Sequence, residues 1–117
     1  MPIPPTAERP TRPRFGVSVA SEDGGTVIAV HGDLDLATAG RLDGFLTNIR
    51  HFVPSFDLDM GEVGFVDVAG IRPVLRLRDT LEREGGTLVI RRPSPAVQRL
   101  VRLLPIDLSL DEPGHSD

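Results

Sequence analysis

Three carboxylates occupy positions from which side chains can do chemistry. Asp33 and Asp35 stand where a β-branched run gives way to a helical period, and Asp67 follows Phe65-Val66 and precedes a glycine. Two carboxylates flanking a bond can act as general acid and base. Asp35 and Asp67 could form such a pair, yet no sugar-site or metal-site signal accompanies them. A carboxylate at a helix start has a plainer chemistry, accepting orphan backbone N–H groups and meeting the positive end of the helix dipole. An exposed one can also receive a partner's Arg or Lys. Asp33 and Asp35 are therefore candidates for an acidic docking patch, and Asp67 for a cap that borders it.

Other reactive constellations are missing from the sequence. His31, His51 and His115 have no metal-ligand spacing, and the chain has no cysteine, which removes disulfides, thiolate zinc sites and thiol catalysis. Gly61, Gly64 and Gly70 make neither a dinucleotide fingerprint nor a Walker loop, and no Gly-x-Ser-x-Gly elbow occurs. No catalytic residue, metal site or cofactor is expected. The formal net charge is −4 and all 13 basic residues are Arg. That balance disfavours non-specific nucleic-acid binding. No apolar run approaches the ~20 residues of a membrane span, and no signal peptide is visible, so a cytoplasmic protein without membrane insertion is expected. Arg72 and Arg76 lie one helical turn apart and could receive partner carboxylates, though a solvated helix face is the default. Arg91, Arg92, Arg99 and Arg102 suggest a separate basic edge.

The elements that must position these residues follow from periodicity. The 117 residues suffice for one domain, over 14–112, between a proline-rich tail at 1–13 and a polar tail at 113–117. Phe15 to Ala20 alternates as a strand does, and Asp23-Gly24-Gly25 is hairpin chemistry. Thr26 to His31 reads as a central strand buried on both faces, ended by Gly32-Asp33-Leu34-Asp35. Ala39, Leu42, Leu46 and Ile49 mark a helix from Ala37 to about Phe52, stopped by Pro54. Phe56 to Met60 alternates as a strand, and Phe65-Val66-Asp67 forms a separate short extended piece. A helix runs from Gly70 to Glu84, placed so that Pro73 falls in its first turn, with Asp67 as the nearest cap and Gly85-Gly86 as its stop. Thr87 to Arg91 is a strand. Ser94-Pro95 opens a helix on Val97, Leu100, Val101 and Leu104 that Pro105 ends, and Ile106 to Leu110 is a last short strand. The order β-β-α-β-α-β-α-β implies an α/β fold, a single domain with a mixed β-sheet covered by helices.

Three segments of this chain carry a resemblance. Gly32-Asp33-Leu34-Asp35 with Thr38-Ala39 and Leu42, Phe65-Val66-Asp67-Val68-Ala69-Gly70-Ile71, and Ser94-Pro95-Ala96-Val97 with Arg99-Leu100 occur in this order. Together they resemble the STAS domain family, named for sulfate transporters and anti-sigma factor antagonists, and most of all its small free-standing bacterial antagonists. The resemblance implies a partner, an anti-sigma factor that is usually an ATP-binding serine kinase. It also implies that binding releases a sigma factor and so regulates transcription. In the family the kinase phosphorylates the serine directly after the motif aspartate. Here that position is Val68 and the next is Ala69, and neither has a hydroxyl. The expected partner surface is Asp33, Asp35, Asp67, Val68, Ala69, Gly70, Ile71, Arg72 and Arg76, with no phosphoacceptor. The alternative expectation is a structural adaptor subunit of a stress-signalling or lipid-transport assembly. The sequence leaves the oligomeric state unknown.

Overall fold

Asp23 and Gly24 both take positive φ, 52° and 81°, in the computed structural model, and this is the two-residue turn that suits the right-handed twist of strands. It joins β1 (Gly16–Glu22) to β2 (Gly25–Leu34), which pair antiparallel from Gly16↔His31 to Glu22↔Gly25. The structure describes residues 14–104 and 110–111. The expected tails at 1–13 and 113–117, and most of the last expected strand, Ile106 to Leu110, lie outside the described residues. α1 (Leu36–Ile49), β3 (Phe56–Val66), α2 (Val68–Arg83), β4 (Leu88–Arg91), α3 (Pro95–Leu103) and a two-residue β5 (Leu110–Asp111) follow. The sheet order is β1-β2-β3-β4-β5, with every pair after the first parallel.

α1, α2 and α3 pack into one core, as the right-handed crossovers favoured between successive parallel strands would place them. Alternate strand residues point there, and Ile28, Leu58 and Ile90 stand in register across three strands. They form one core with Leu42 and Leu46 of α1, Ile71, Val74 and Leu81 of α2, and Val97 of α3. Each such side chain contributes roughly 1.5–3 kcal/mol on burial.

The opposite face differs from the expectation of a two-sided central strand. Val27 and Ala29 point away from the helices, in register with Asp57 and Asp59. Charged side chains cover this face. Arg91 of β4 reaches Glu22 of β1 at 2.7 Å and lies 4.0 Å from Asp57, spanning the sheet above the Val27 row. Val27 is thereby buried without a helix over it.

Several boundaries move relative to the sequence expectation, among them the end of α1, which stops at Ile49 and not near Phe52. β2 continues through Leu34 instead of ending at His31. β3 is one strand from Phe56 to Val66, where two were expected, because it absorbs two extra residues against β2 near Gly61 and Gly64. Bulges of this kind bend a strand and re-aim its side chains. α2 starts at Val68, so Pro73 lies in the second turn and not the first. Its ring supplies no N–H to the Ala69 carbonyl, and the residue is buried. The C-terminal end of α2 is as expected: Gly86 N–H reaches the Leu81 carbonyl at 2.8 Å and Gly85 N–H reaches that of Glu82 at 3.2 Å.

One close approach fixes how α2 meets β2. A Cβ on Gly70 would run into the carbonyl oxygen of Leu34. In an exposed helix Gly→Ala gains about 1 kcal/mol. Here the sign reverses, and Gly70→Ala is expected to destabilise the domain by about 2–4 kcal/mol, as overpacking against immobile backbone does. Urea denaturation of the two proteins checks this.

Candidate functional site

The C-terminal ends of β2 and β3 lie side by side, with Leu34 in register with Val66. Each strand passes through one aspartate into a helix. Asp35 is the N-cap of α1: its Oδ1 accepts from the N–H of Ala37 at 3.0 Å and of Thr38 at 3.3 Å. Thr38 Oγ1 returns the bond, accepting from Asp35 N–H at 3.0 Å, and donates to the Asp33 carbonyl at 2.9 Å. This reciprocal capping box holds the whole Asp33–Asp35 turn. Asp67 is the N-cap of α2, its Oδ1 accepting from Gly70 N–H at 2.8 Å. Asp67 N–H also donates to the Leu34 carbonyl at 3.3 Å, which ties the two helix starts together.

A second regularity follows from the caps. Each aspartate is followed at the first helical position by an apolar residue, Leu36 in α1 and Val68 in α2. A side chain there projects past the end of its helix, beyond the reach of the core. Leu36 is 79% exposed and Val68 45%. Phe65, re-aimed by the β3 bulge, is 47% exposed. These three are among the six large exposed hydrophobic residues described. Single exposed hydrophobic residues are ordinary, but a group on one edge, rimmed by acids, has the composition of an interaction surface. Leu36 and Phe65 are absent from the sequence-derived site. The signal that identifies Leu36 is the Asp-apolar doublet repeated at both helix starts, while Phe65 depends on a bulge that periodicity does not reveal.

The other candidates divide by depth. Asp33, Asp35, Asp67 and Ala69 are half-buried, and Arg72 and Arg76 are exposed on α2. Arg76 lies 3.4 Å from Asp43 of α1, an exposed pair worth little to stability. Between the helices runs a groove of about 240 Å³ lined by Leu36, Ala39, Gly40, Ala69, Arg72 and Pro73. Gly70 and Ile71 are buried, so their part is to seat the helix start from beneath.

The expected basic edge is broken up. Arg91 is committed to Glu22 and Asp57. Arg92, in the left-handed region at φ 49°, binds the buried Asp59, its Nε donating at 3.0 Å and its Nη2 completing the fork. That hydrogen bond, with the attraction of the carboxylate, raises the Arg92 guanidinium above its ordinary range. Asp59 also accepts from Gly61 N–H at 3.0 Å, so it fastens the β3 bulge to the loop entering α3. Among the described residues, no group of three or more His, Asp or Glu converges to hold a metal ion. No helix among them is long and apolar enough to cross a membrane.

Comparison with known proteins places this geometry. A family model described as "Mlab, STAS domain" matches residues 17–110. No curated protein matches the chain. Among solved structures, the chain is similar to an anti-sigma factor antagonist from Mycobacterium paratuberculosis, at 26% identity over 77% of each chain, with a TM-score of 0.64. It is similar in fold to the anti-sigma factor antagonist SpoIIAA in its unphosphorylated form, at 19% identity over 85% of this chain and 88% of that one, TM-score 0.63. The phosphorylated form of the same Bacillus cell fate determinant matches at 20% identity over 77% and 82%, TM-score 0.61.

Removing either cap should register in stability. Asp35→Ala and Asp67→Ala are each expected to cost about 1 kcal/mol, within the 0.5–2 kcal/mol range of lost N-caps. Leu36→Ser and Val68→Ser, on the exposed edge, should stay within about 0.5 kcal/mol of the parent. Chemical denaturation of the four variants separates the positioning residues from the surface ones.

Proposed function

We propose, because this chain belongs to the STAS-domain family, that it is an anti-sigma factor antagonist that docks through the edge formed by the two helix starts. The observation that carries this reading is that Leu36 and Val68, the first residues of two adjoining helices, are both exposed beside Asp35 and Asp67, with the exposed Phe65 paired to Asp33 at the ends of β3 and β2. The apolar trio supplies the area to be removed from water, and the carboxylates orient a basic partner. Arg72 and Arg76 extend the surface along α2. The partner is an anti-sigma factor, of the ATP-binding serine kinase type. By occupying it in the cytoplasm, the chain releases the sigma factor and regulates transcription, without catalysing a reaction itself.

The same surface carries no phospho-switch in this reading. Phosphate at the first position of α2 would add about −1.5 to −2 charges beside Asp67 and in the middle of an apolar contact. Val68 and Ala69 have no hydroxyl to receive it, so docking is constitutive. That permanence also supports a second reading, a fixed adaptor subunit in a stress-signalling or lipid-transport assembly. An apolar residue at this position costs nothing in an interface that never opens.

Mass spectrometry after incubation with the partner kinase and ATP is expected to show no phosphate on the parent chain, while Val68→Ser gains one at residue 68. Phosphate on the parent's described core would contradict constitutive action. Val68→Asp is expected to retain full stability, since an acid in the first turn gains about 0.3–1 kcal/mol from the dipole, yet to lose partner binding by at least tenfold in a titration. Unchanged binding would place the contact elsewhere. Constitutive co-purification with an assembly that lacks a kinase would favour the adaptor.

A further inference from the structure

Among the described residues, β1 is a sheet edge without the usual protection. Nothing described pairs with its outer side, and the order of the sheet begins with it. Edge strands are normally blunted by Lys, Pro, a bulge or brevity. β1 has seven residues, Gly-Val-Ser-Val-Ala-Ser-Glu, with neither Lys nor Pro, and it pairs with β2 without a register shift. The opposite edge, β5, is two residues long. Val19 points to the helix-covered face, in register with Ile28, yet is 49% exposed, with no described strand beyond it.

The hydrogen-bonding parity of β1 follows from its hairpin. A two-residue turn closes on a doubly hydrogen-bonded pair, here Glu22 and Gly25. Glu22, Ala20, Ser18 and Gly16 therefore direct N–H and C=O toward β2. Ser21, Val19, Val17 and Phe15 direct theirs outward. The stretch available for pairing is bounded by Pro13 on one side and the Asp23-Gly24 turn on the other. It runs from 14 to 22, and its midpoint is Ser18.

We propose that two copies of this chain associate through antiparallel β1–β1 pairing about a two-fold axis at Ser18, joining their sheets into one. This interface is separate from the docking edge. In this register outward-facing residues meet each other: Val17 lies opposite Val19, and Phe15 opposite Ser21. Ser18 faces its own copy across the axis. Val19 gains Val17 of the second copy as a same-face neighbour, the kind of cross-strand pair that stabilises sheets. Arg14 comes opposite Glu22 at both ends, on the face away from the helices. Arg14 makes no side-chain interaction among the described residues. Glu22 keeps 42% of its side chain exposed beside Arg91, so a second cation can approach it. A shift of the register by one residue would set outward groups against inward ones, so parity excludes the adjacent registers.

The full-length chain is the reagent. Sedimentation velocity from low micromolar to high micromolar concentration is expected to show a dimer fraction that rises with concentration. Val19→Pro removes only an outward N–H, so it should keep the circular dichroism of the parent and remain monomeric throughout. Ser18→Cys reads the register directly, because the parent has no cysteine. Across the axis the two Cα atoms of a non-hydrogen-bonded pair would lie about 4.5 Å apart, inside the disulfide range of about 4.4–6.8 Å. Mild oxidation should convert Ser18→Cys to a covalent dimer and leave the helix-surface control Thr47→Cys monomeric. A parent that stays monomeric at the highest concentration overturns the proposal. So does a Val19→Pro variant that still dimerises, or cross-linking of both cysteine variants alike.

Discussion

The carbonyl oxygen of Leu34 is the point through which the two helix starts are joined. It receives the Asp67 N–H at 3.3 Å, and Gly70 packs against it where a Cβ would not fit. Leu34 itself is fully buried, so this oxygen has no freedom to move aside. The contact forces α2 to begin directly over the end of β2. It thereby sets the Asp35 cap and the Asp67 cap beside each other, with Leu36 and Val68 projecting from them. Were the approach looser, the domain could keep its core, but the two apolar tips would not share one edge.

From that junction the surface inherits both its chemistry and its rigidity. The carboxylates of Asp35 and Asp67 are turned back onto backbone N–H groups. Their geometry is thus fixed before any partner arrives, which lowers the ordering cost of association. The apolar tips stand on the first turn of capped helices and not on a loop, and the Asp33 turn is held by Thr38. Phe65 depends on the β3 bulges, and one of those is fastened by Asp59 to Gly61 and Arg92. Charge pairing on the far face of the sheet thus bears on the contour of the proposed docking edge.

Much of this was legible in the sequence where one residue carries a strong local preference. Asp23-Gly24 specifies its hairpin, Ser94-Pro95 its helix start, and Gly85-Gly86 its helix end, because each needs only its own backbone geometry. The misses have tertiary causes. Pro73 argues locally for a helix beginning near Gly70, yet the fit of Gly70 under Leu34 lets α2 begin earlier, at Val68. Phe56 to Met60 and Phe65-Val66-Asp67 read as two separate extended pieces, whereas they lie in one bulged but continuous strand paired on its β2 side. Val27 reads as a residue with a hydrophobic layer above it, and its actual cover is Arg91, 64 residues away in sequence, paired with the nearby Glu22. Asp33, Asp35 and Asp67 could be named from the sequence and Leu36 from the Asp-apolar doublet it shares with Val68, but the exposure of Phe65 follows from bulges that periodicity does not reveal.

The central claim is that the partner meets this edge of the domain. Its most direct test is a map of backbone amide chemical shifts in the labelled chain, titrated with the anti-sigma factor that it retains from host lysate. The account predicts that perturbations concentrate at residues 33–36 and 65–72, with the far sheet face around Ala29, Asp59 and Arg91 unmoved. Perturbations centred on that far face, with the two helix starts silent, would contradict it.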